Sequence, residues 1–300
     1  MIAGTGAAFS IKSGNLNFGG EGQIYLGGFV AAIILARLGN WAAIPAVFIA
    51  LLAAFLSSGL LALISGLLKK YKDADFLFTS FLASSAVIPL IDGLITGPFR
   101  SKTDNLLATP FIDQKFRFHS LMRPSSLNAS FFIAILLCVG FFFLINKTAY
   151  GRKLKIYGIS PEFSKFSGYS NSNFIFTSAF ISGGMHGLSG ALAIVGTYFT
   201  CHNGFYAGIG WSSFSTALLA NANPLLMIPS SLFLAFITTY SNRFALYNNV
   251  GFDISSLIQA VILLMISFYI TNGTLGSGFS VSKNGTLGSG FSVSKKDNRK

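Results

Sequence analysis

Nine consecutive residues, NLNFGGEGQ at positions 15–23, set two asparagines, a carboxylate and a glutamine among three glycines, directly ahead of an apolar run. Amide side chains both donate and accept hydrogen bonds. Such a cluster binds and orients; it offers no nucleophile with an adjacent base. Glu21 has two readings. In the first turn of a helix starting near Ile24 it complements the helix macrodipole, worth about 0.3–1 kcal/mol. Alternatively it faces a cavity or an interface, because a charge deep in a bilayer costs on the order of 3 kcal/mol on insertion scales. A second polar break, Asn221-Ala222-Asn223-Pro224, interrupts the apolar sequence further on.

The other reactive residue types stand alone. His186 lies in a Gly-rich run, 182–196, and Cys201-His202 has no partner at ligand spacing, which argues against a metal site. Small residues at helical spacing favour helix packing for that run, with a substrate-facing break as the alternative. Cys138 and Cys201 are too few for a disulfide framework. Asp92, beside Pro89 and Gly93, suits a structural hydrogen bond or a cavity wall equally. Gly273 and Gly278 have the first spacing of a P-loop, but Phe279 stands where lysine is required. No G-x-S-x-G elbow and no H-E-x-x-H is present. No catalytic residue, metal or cofactor is therefore expected in this chain.

The elements that position these groups are membrane helices. Hydrophobic residues make up 52% of the 300 and charged residues 10%, against about 25% charged in soluble domains. A bilayer span needs roughly 20 mostly apolar residues. Apolar helices are expected at 24–38, 41–68, 75–95, 129–145, 174–200, 225–240 and 254–270, with 211–220 too short to span. Half-helices meeting at polar breaks are tolerated only where they are buried or line a cavity. The fold class is thus all-α, a polytopic membrane protein of about eight to nine membrane-inserted segments, some broken or re-entrant. Lys69, Lys70 and Lys72, and the loop 147–165, mark the cytoplasmic side. The intervening stretch 97–128 then lies outside, and because it too is net basic the charge pattern orients the chain only in part. The excess of 21 Lys+Arg over 9 Asp+Glu has no basic-aromatic stripe and does not indicate nucleic acid. Met1-Ile2-Ala3-Gly4 lacks the basic start of a cleavable signal peptide. A transmembrane domain is expected over 1–271. The tail, 272–300, repeats NGTLGSGFSVSK twice and reads as flexible. Its lysines suit the cytoplasm, whereas a re-entrant 211–220 puts it outside.

Five segments in order carry a family pattern: GTGAAFSIKSG followed by NLNFGGEGQIYLGGF (4–29), LITGPFRSKTDNLLATPFIDQKFRF (94–118), TAYGRKLKIYGISPEFSKFSGYS (148–170), SGGMHGLSGALAIVGT (182–197) and GIGWSSFSTALLANANPLLMIPSSLFLAFI (208–237). Together they resemble the permease subunits of ABC importers of the nucleoside and simple-sugar class, which work with binding proteins of the basic-membrane-protein and ribose-binding types. The family has one more helix ahead of residue 4, so the N-terminus reads as short. The resemblance implies that 148–170 contains a short helix docking on the ATP-hydrolysing subunit. Gly151 and Gly158 would permit tight turns, with Arg152 between them. Ser160 would be the N-cap, Pro161 and Glu162 the first turn, and Gly168 the C-cap. The family prefers two alanines after the proline; here Phe163 and Phe166 would make the apolar contact instead.

The same resemblance implies the partners: an ATP-binding subunit that uses the ATP, a second permease subunit, homologous or identical, and an extracytoplasmic binding protein, all at a bacterial inner membrane with its lipids. The cargo implied is a nucleoside, a purine nucleoside first, with riboflavin or a simple sugar as alternatives. The expected pathway residues are Asn17, Glu21, Gln23, Asn221 and Asn223. A channel or secondary transporter fits less well, since ion coupling would call for more intramembrane carboxylates or histidines.

Overall fold

The computed structural model describes residues 1–102, 106–122, 125–206, 208–248, 256–258, 260–262 and 264–265. Its elements are α1 (Ile2–Lys12), α2 (Gly20–Arg37), α3 (Ala43–Lys72), α4 (Phe76–Thr96), α5 (Ser130–Lys147), α6 (Ala149–Ile159), α7 (Pro161–Phe166), α8 (Asn171–Ala193), α9 (Ile209–Leu219) and α10 (Met227–Tyr247). A π-helical turn, Ile194–Tyr198, continues α8. Among the described residues no strand forms; pairing outside helices is limited to the isolated bridges Ala108–His202 and Ser120–Asn128. Most of the expected span 254–270 and the whole tail 272–300 lie outside the described residues.

Among the described residues four stretches are long and apolar enough to cross a bilayer: Ala43–Lys72, Phe76–Thr96, Ser130–Lys147 and Asn171–Tyr198. At 30 residues α3 is the longest, about 45 Å at 1.5 Å per residue. Lys69, Lys70 and Lys72 occupy its last turn, where cations complement the dipole. Asp73 reverses the chain in the left-handed region, φ 52°. The Asp75 carboxylate then caps α4 by accepting from the Leu77 amide at 2.8 Å.

Helix α8 is the axis of the bundle, packed against α1, α2 and α3. Its glycines make that possible. A Cβ added at Gly187 would stand 2.5 Å from the Ala54 carbonyl oxygen, and one at Gly190 only 2.0 Å from that of Ile24. Gly27 of α2 meets Gly187 in the same way. The Gly-rich run is therefore a packing face, as helices in lipid require when no hydrophobic force separates them from the solvent. The opposite surfaces of α3, α4, α5 and α10 present Phe48, Leu82, Leu136 and Phe236, each at least 60% exposed, as lipid-facing groups.

Two expectations are corrected. Helix α2 starts at Gly20, not near Ile24, so Glu21 lies in its first turn and Gln23 in the same helix. Gly151 and Gly158 are not turn residues; both lie inside α6. They serve close approach, since a Cβ at either would come within 2.3 Å of a carbonyl oxygen, that of Ile145 or Lys12 respectively.

Gly190→Val should lower the unfolding midpoint in detergent or prevent a monodisperse protein, because overpacking costs at least about 1–3 kcal/mol. Gly140→Ala, with nothing within 4 Å of the added Cβ, should leave the midpoint unchanged or raise it. Fluorescence-detected size exclusion after heating measures both, and equal midpoints for the two variants would contradict the packing assignment.

Candidate functional site

Between α1 and α2 the chain leaves the helical path at 13–19 and climbs α8 one turn at a time. Gly14, φ 67°, starts the break. The Asn15 amide donates to Ser178 Oγ at 2.7 Å, the Asn17 amide donates to Ser182 Oγ at 2.9 Å, and Gly20 lies against His186. Ser178, Ser182 and His186 are successive turns on one face of α8. On the other side, α4 supplies Ser80 and Ser84. Their hydroxyls accept from the backbone amides of Phe18 at 3.0 Å and Gly22 at 2.6 Å. Ser58 of α3 donates to the Gln23 carbonyl at 2.8 Å.

Asn17 and Gln23 form a reciprocal amide pair, at 2.9 and 3.1 Å. Asn17 Oδ1 also accepts from the Gly19 amide at 3.0 Å. An amide has two donors and two acceptor positions, and Asn17 uses all four within the protein. Both side chains are buried. They build the break, and Gln23 lies behind the cleft described next.

Glu21 is the polar group that faces outward. Its Oε1 accepts from the backbone amides of Gly210 at 2.9 Å and Trp211 at 3.2 Å, the N-terminus of α9. One carboxylate thus sits at two helix N-termini, α2 and α9, where a negative charge is favoured. The glycines allow this: a Cβ at Gly20 would stand 3.2 Å from the Cα of Gly210. A narrow cleft opens beside Glu21, lined by Asn17, Phe18, Gly20, Gly210, Trp211 and Phe214. The Phe18 ring meets Phe214 edge-on at 4.6 Å and Trp211 at 5.7 Å. In this conformation the free space holds little more than a water molecule.

Asn221 and Asn223 are not brought to this cleft. They lie past the other end of α9, about 16 Å along an eleven-residue helix. Asn221 and Ala222 are both left-handed, and Asn223 Oδ1 accepts from the Leu225 amide at 3.2 Å, so the segment is the turn into α10. Asp92 accepts from the Tyr25 hydroxyl at 2.5 Å and ties α4 to α2. Among the described residues no three His, Cys, Asp or Glu side chains are grouped as a metal would need. Sequence reasoning missed the serines. Ser80/Ser84 and Ser178/Ser182, each pair one turn apart, were the available signal, but such pairs read equally as small packing residues.

The segment 160–168 forms the short capped helix expected there. Ser160 Oγ accepts from the Phe163 amide at 3.2 Å, Pro161 and Glu162 begin α7, and Gly168 follows its end at φ 77°. Phe163 is 60% and Phe166 91% exposed. Arg152 is exposed on α6 and donates to the Lys147 carbonyl at 3.4 Å. Tyr157 is buried and stacked on Phe174, 5.4 Å between centroids, and burial pushes its phenol above the ordinary range. Burial also lowers the Lys155 ammonium, which donates to Asn146 Oδ1 at 2.6 Å.

Broken helices around a small-residue axis, with four membrane-capable stretches among the described residues, define a multi-pass membrane protein. The family described as the permease component of the branched-chain amino acid transport system matches residues 1–289, and the chain belongs to that family. It is 35% identical to a probable riboflavin import permease of Treponema pallidum (strain Nichols), over 87% of this chain and 70% of the relative. It is 26% identical to a guanosine ABC transporter permease of Bacillus subtilis (strain 168), over 89% and 77%. With a glucose ABC transporter permease of Haloferax volcanii the identity is 24%, over 89% and 72%. No solved structure matches the chain. The chain is the permease subunit of an ABC transporter.

Glu21→Ala removes the acceptor for both α9 amides and should lower stability by about 1 kcal/mol or more, as loss of a helix cap does. Glu21→Gln keeps a carbonyl acceptor and should remain within a few tenths of wild type. Unfolding midpoints in detergent separate the two, and an unperturbed Glu21→Ala would show that the cap has no structural weight.

Proposed function

We propose that this permease imports a flat heteroaromatic compound carrying a hydroxylated chain, riboflavin ahead of a purine nucleoside. The observation that carries the reading is the aromatic lining of the cleft: Phe18, Trp211 and Phe214 beside the Glu21 carboxylate. Aromatic walls stack on a ring, and a carboxylate accepts from ring N–H groups or hydroxyls. The higher identity to the riboflavin permease supports riboflavin, and the guanosine relative supports the nucleoside. A simple sugar ranks third, because it brings hydroxyls but no aromatic face to that wall.

The cleft lies on the surface of one chain, level with the middle of α8, with Trp211 exposed at its lip. A carboxylate facing lipid there would be costly. A second permease subunit, homologous or identical, therefore covers this face and completes the pathway. Phe163 and Phe166 dock on an ATP-binding subunit, which alone uses ATP; this chain needs no cofactor. For the extracytoplasmic binding protein, the support is a second, open cleft at the end of α2 and beyond α4, where Arg37 and Arg100 stand beside Phe99 and Pro98. The assembly belongs in a bacterial inner membrane.

Uptake of labelled riboflavin, guanosine and ribose into vesicles holding the complete complex tests the cargo. Riboflavin uptake should dominate, and Trp211→Ala should reduce it about tenfold, the equivalent of ~1.4 kcal/mol of stacking. Robust ribose uptake with no riboflavin or guanosine uptake would reject the cargo assignment and leave the permease class intact.

A further inference from the structure

We propose that Asn15 is the positioning residue through which movement of the α6–α7 loop reaches the broken helix; this rests on the reading of α7 as the ATPase-docking element. The Asn15 side chain is 1% exposed and joins three helices. Its Nδ2 donates to Ser178 Oγ of α8 at 2.7 Å. Its Oδ1 accepts from Lys69 Nζ, at the cytoplasmic end of α3, at 2.7 Å, and from the Tyr157 hydroxyl of α6 at 3.5 Å.

Backbone contact makes the connection stiff. A Cβ at Gly158 would stand 2.3 Å from the Lys12 carbonyl oxygen, and one at Gly14 would stand 3.0 Å from the Gly158 carbonyl oxygen. At Gly158 the end of α6 is seated directly on the backbone of the turn at 12–15, with no room for a Cβ. Ser160 is at once the C-cap of α6 and the N-cap of α7, so the two short helices are separated by one residue. A push on Phe163 or Phe166 therefore reaches Gly158, then the turn, then Asn15. Two residues on, Asn17 holds Gln23 and Ser182, and Gln23 follows Glu21 by two in the first turns of α2.

The amide is suited to the position. It donates to α8 and accepts from α3 and α6 at once, which neither a carboxylate nor an apolar side chain does. Asn15→Asp keeps the acceptor for Lys69 and Tyr157, whereas Asn15→Ala keeps nothing.

The test uses the complete complex in proteoliposomes with its loaded binding protein, and reads molecules taken up per ATP hydrolysed. Asn15→Ala should hydrolyse ATP within about twofold of wild type while uptake per ATP falls at least tenfold, and Asn15→Asp should recover most of the ratio. A normal ratio in Asn15→Ala, or uptake and hydrolysis falling together with the ratio unchanged, overturns the proposal. Should Asn15→Ala not fold, Ser178→Ala and Lys69→Gln each remove one of the bonds, and an unchanged ratio in both overturns it equally. A Phe166→Cys cross-link to the ATPase subunit separates the two levels. No cross-link rejects the docking reading itself; a cross-link with a normal ratio rejects only the role of Asn15.

Discussion

Backbone that leaves a helix at membrane depth has to find its hydrogen-bond partners within the protein, because the bilayer offers none. In this permease the constraint falls on residues 13–23. The amides of Phe18 and Gly22 go to Ser80 and Ser84, that of Gly19 to Asn17, and the carbonyl of Gln23 to Ser58. Helices α3, α4 and α8 all contribute, so the break exists only inside the assembled bundle. The glycines of α2 and α8 follow from the same need. Serine hydroxyls reach a neighbouring backbone only when the helices are nearly in contact, which Gly27, Gly187 and Gly190 permit.

The arrangement pairs most of the polar groups around the break, although the buried Nδ1 of His186 is left without a partner. Asn17 is saturated, Asp92 is held by Tyr25, and Glu21 spans two helix N-termini. Glu21 differs from the others because its bonds are to the backbone of α9 across an open cleft. The Gly208 backbone also reaches the carboxylate, so Glu21 is held by the N-terminal turn of α9 as a whole.

The cytoplasmic side shows the opposite design. Tyr157 and Leu154 are buried, Gly151 and Gly158 touch backbone, and within 147–168 the exposed aromatic rings are Phe163 and Phe166 of α7. The loop is thus seated backbone on backbone and ends in an apolar tip. A flexible tether would dissipate displacement in side-chain rearrangement, whereas backbone seated on backbone transmits it.

Much of this was legible in the residues themselves. Apolar runs and lysine clusters placed the long helices, because length and hydrophobicity are local properties that a bilayer reads directly. Ser160, Pro161 and Gly168 marked α7, because capping depends on a few neighbouring residues. The polar stretch 15–23 announced a break for the same reason. What the break does was decided elsewhere. Whether Glu21 served its own helix or another depended on Gly210 arriving from far along the chain, and the answer was both. Asn17 and Gln23, alike in type to Asn221 and Asn223, became a saturated pair, while the latter became a distant turn. Side-chain type limits the bonds a residue is able to make; only the approach of α4, α8 and α9 to one point in the bundle selected which of those bonds were made.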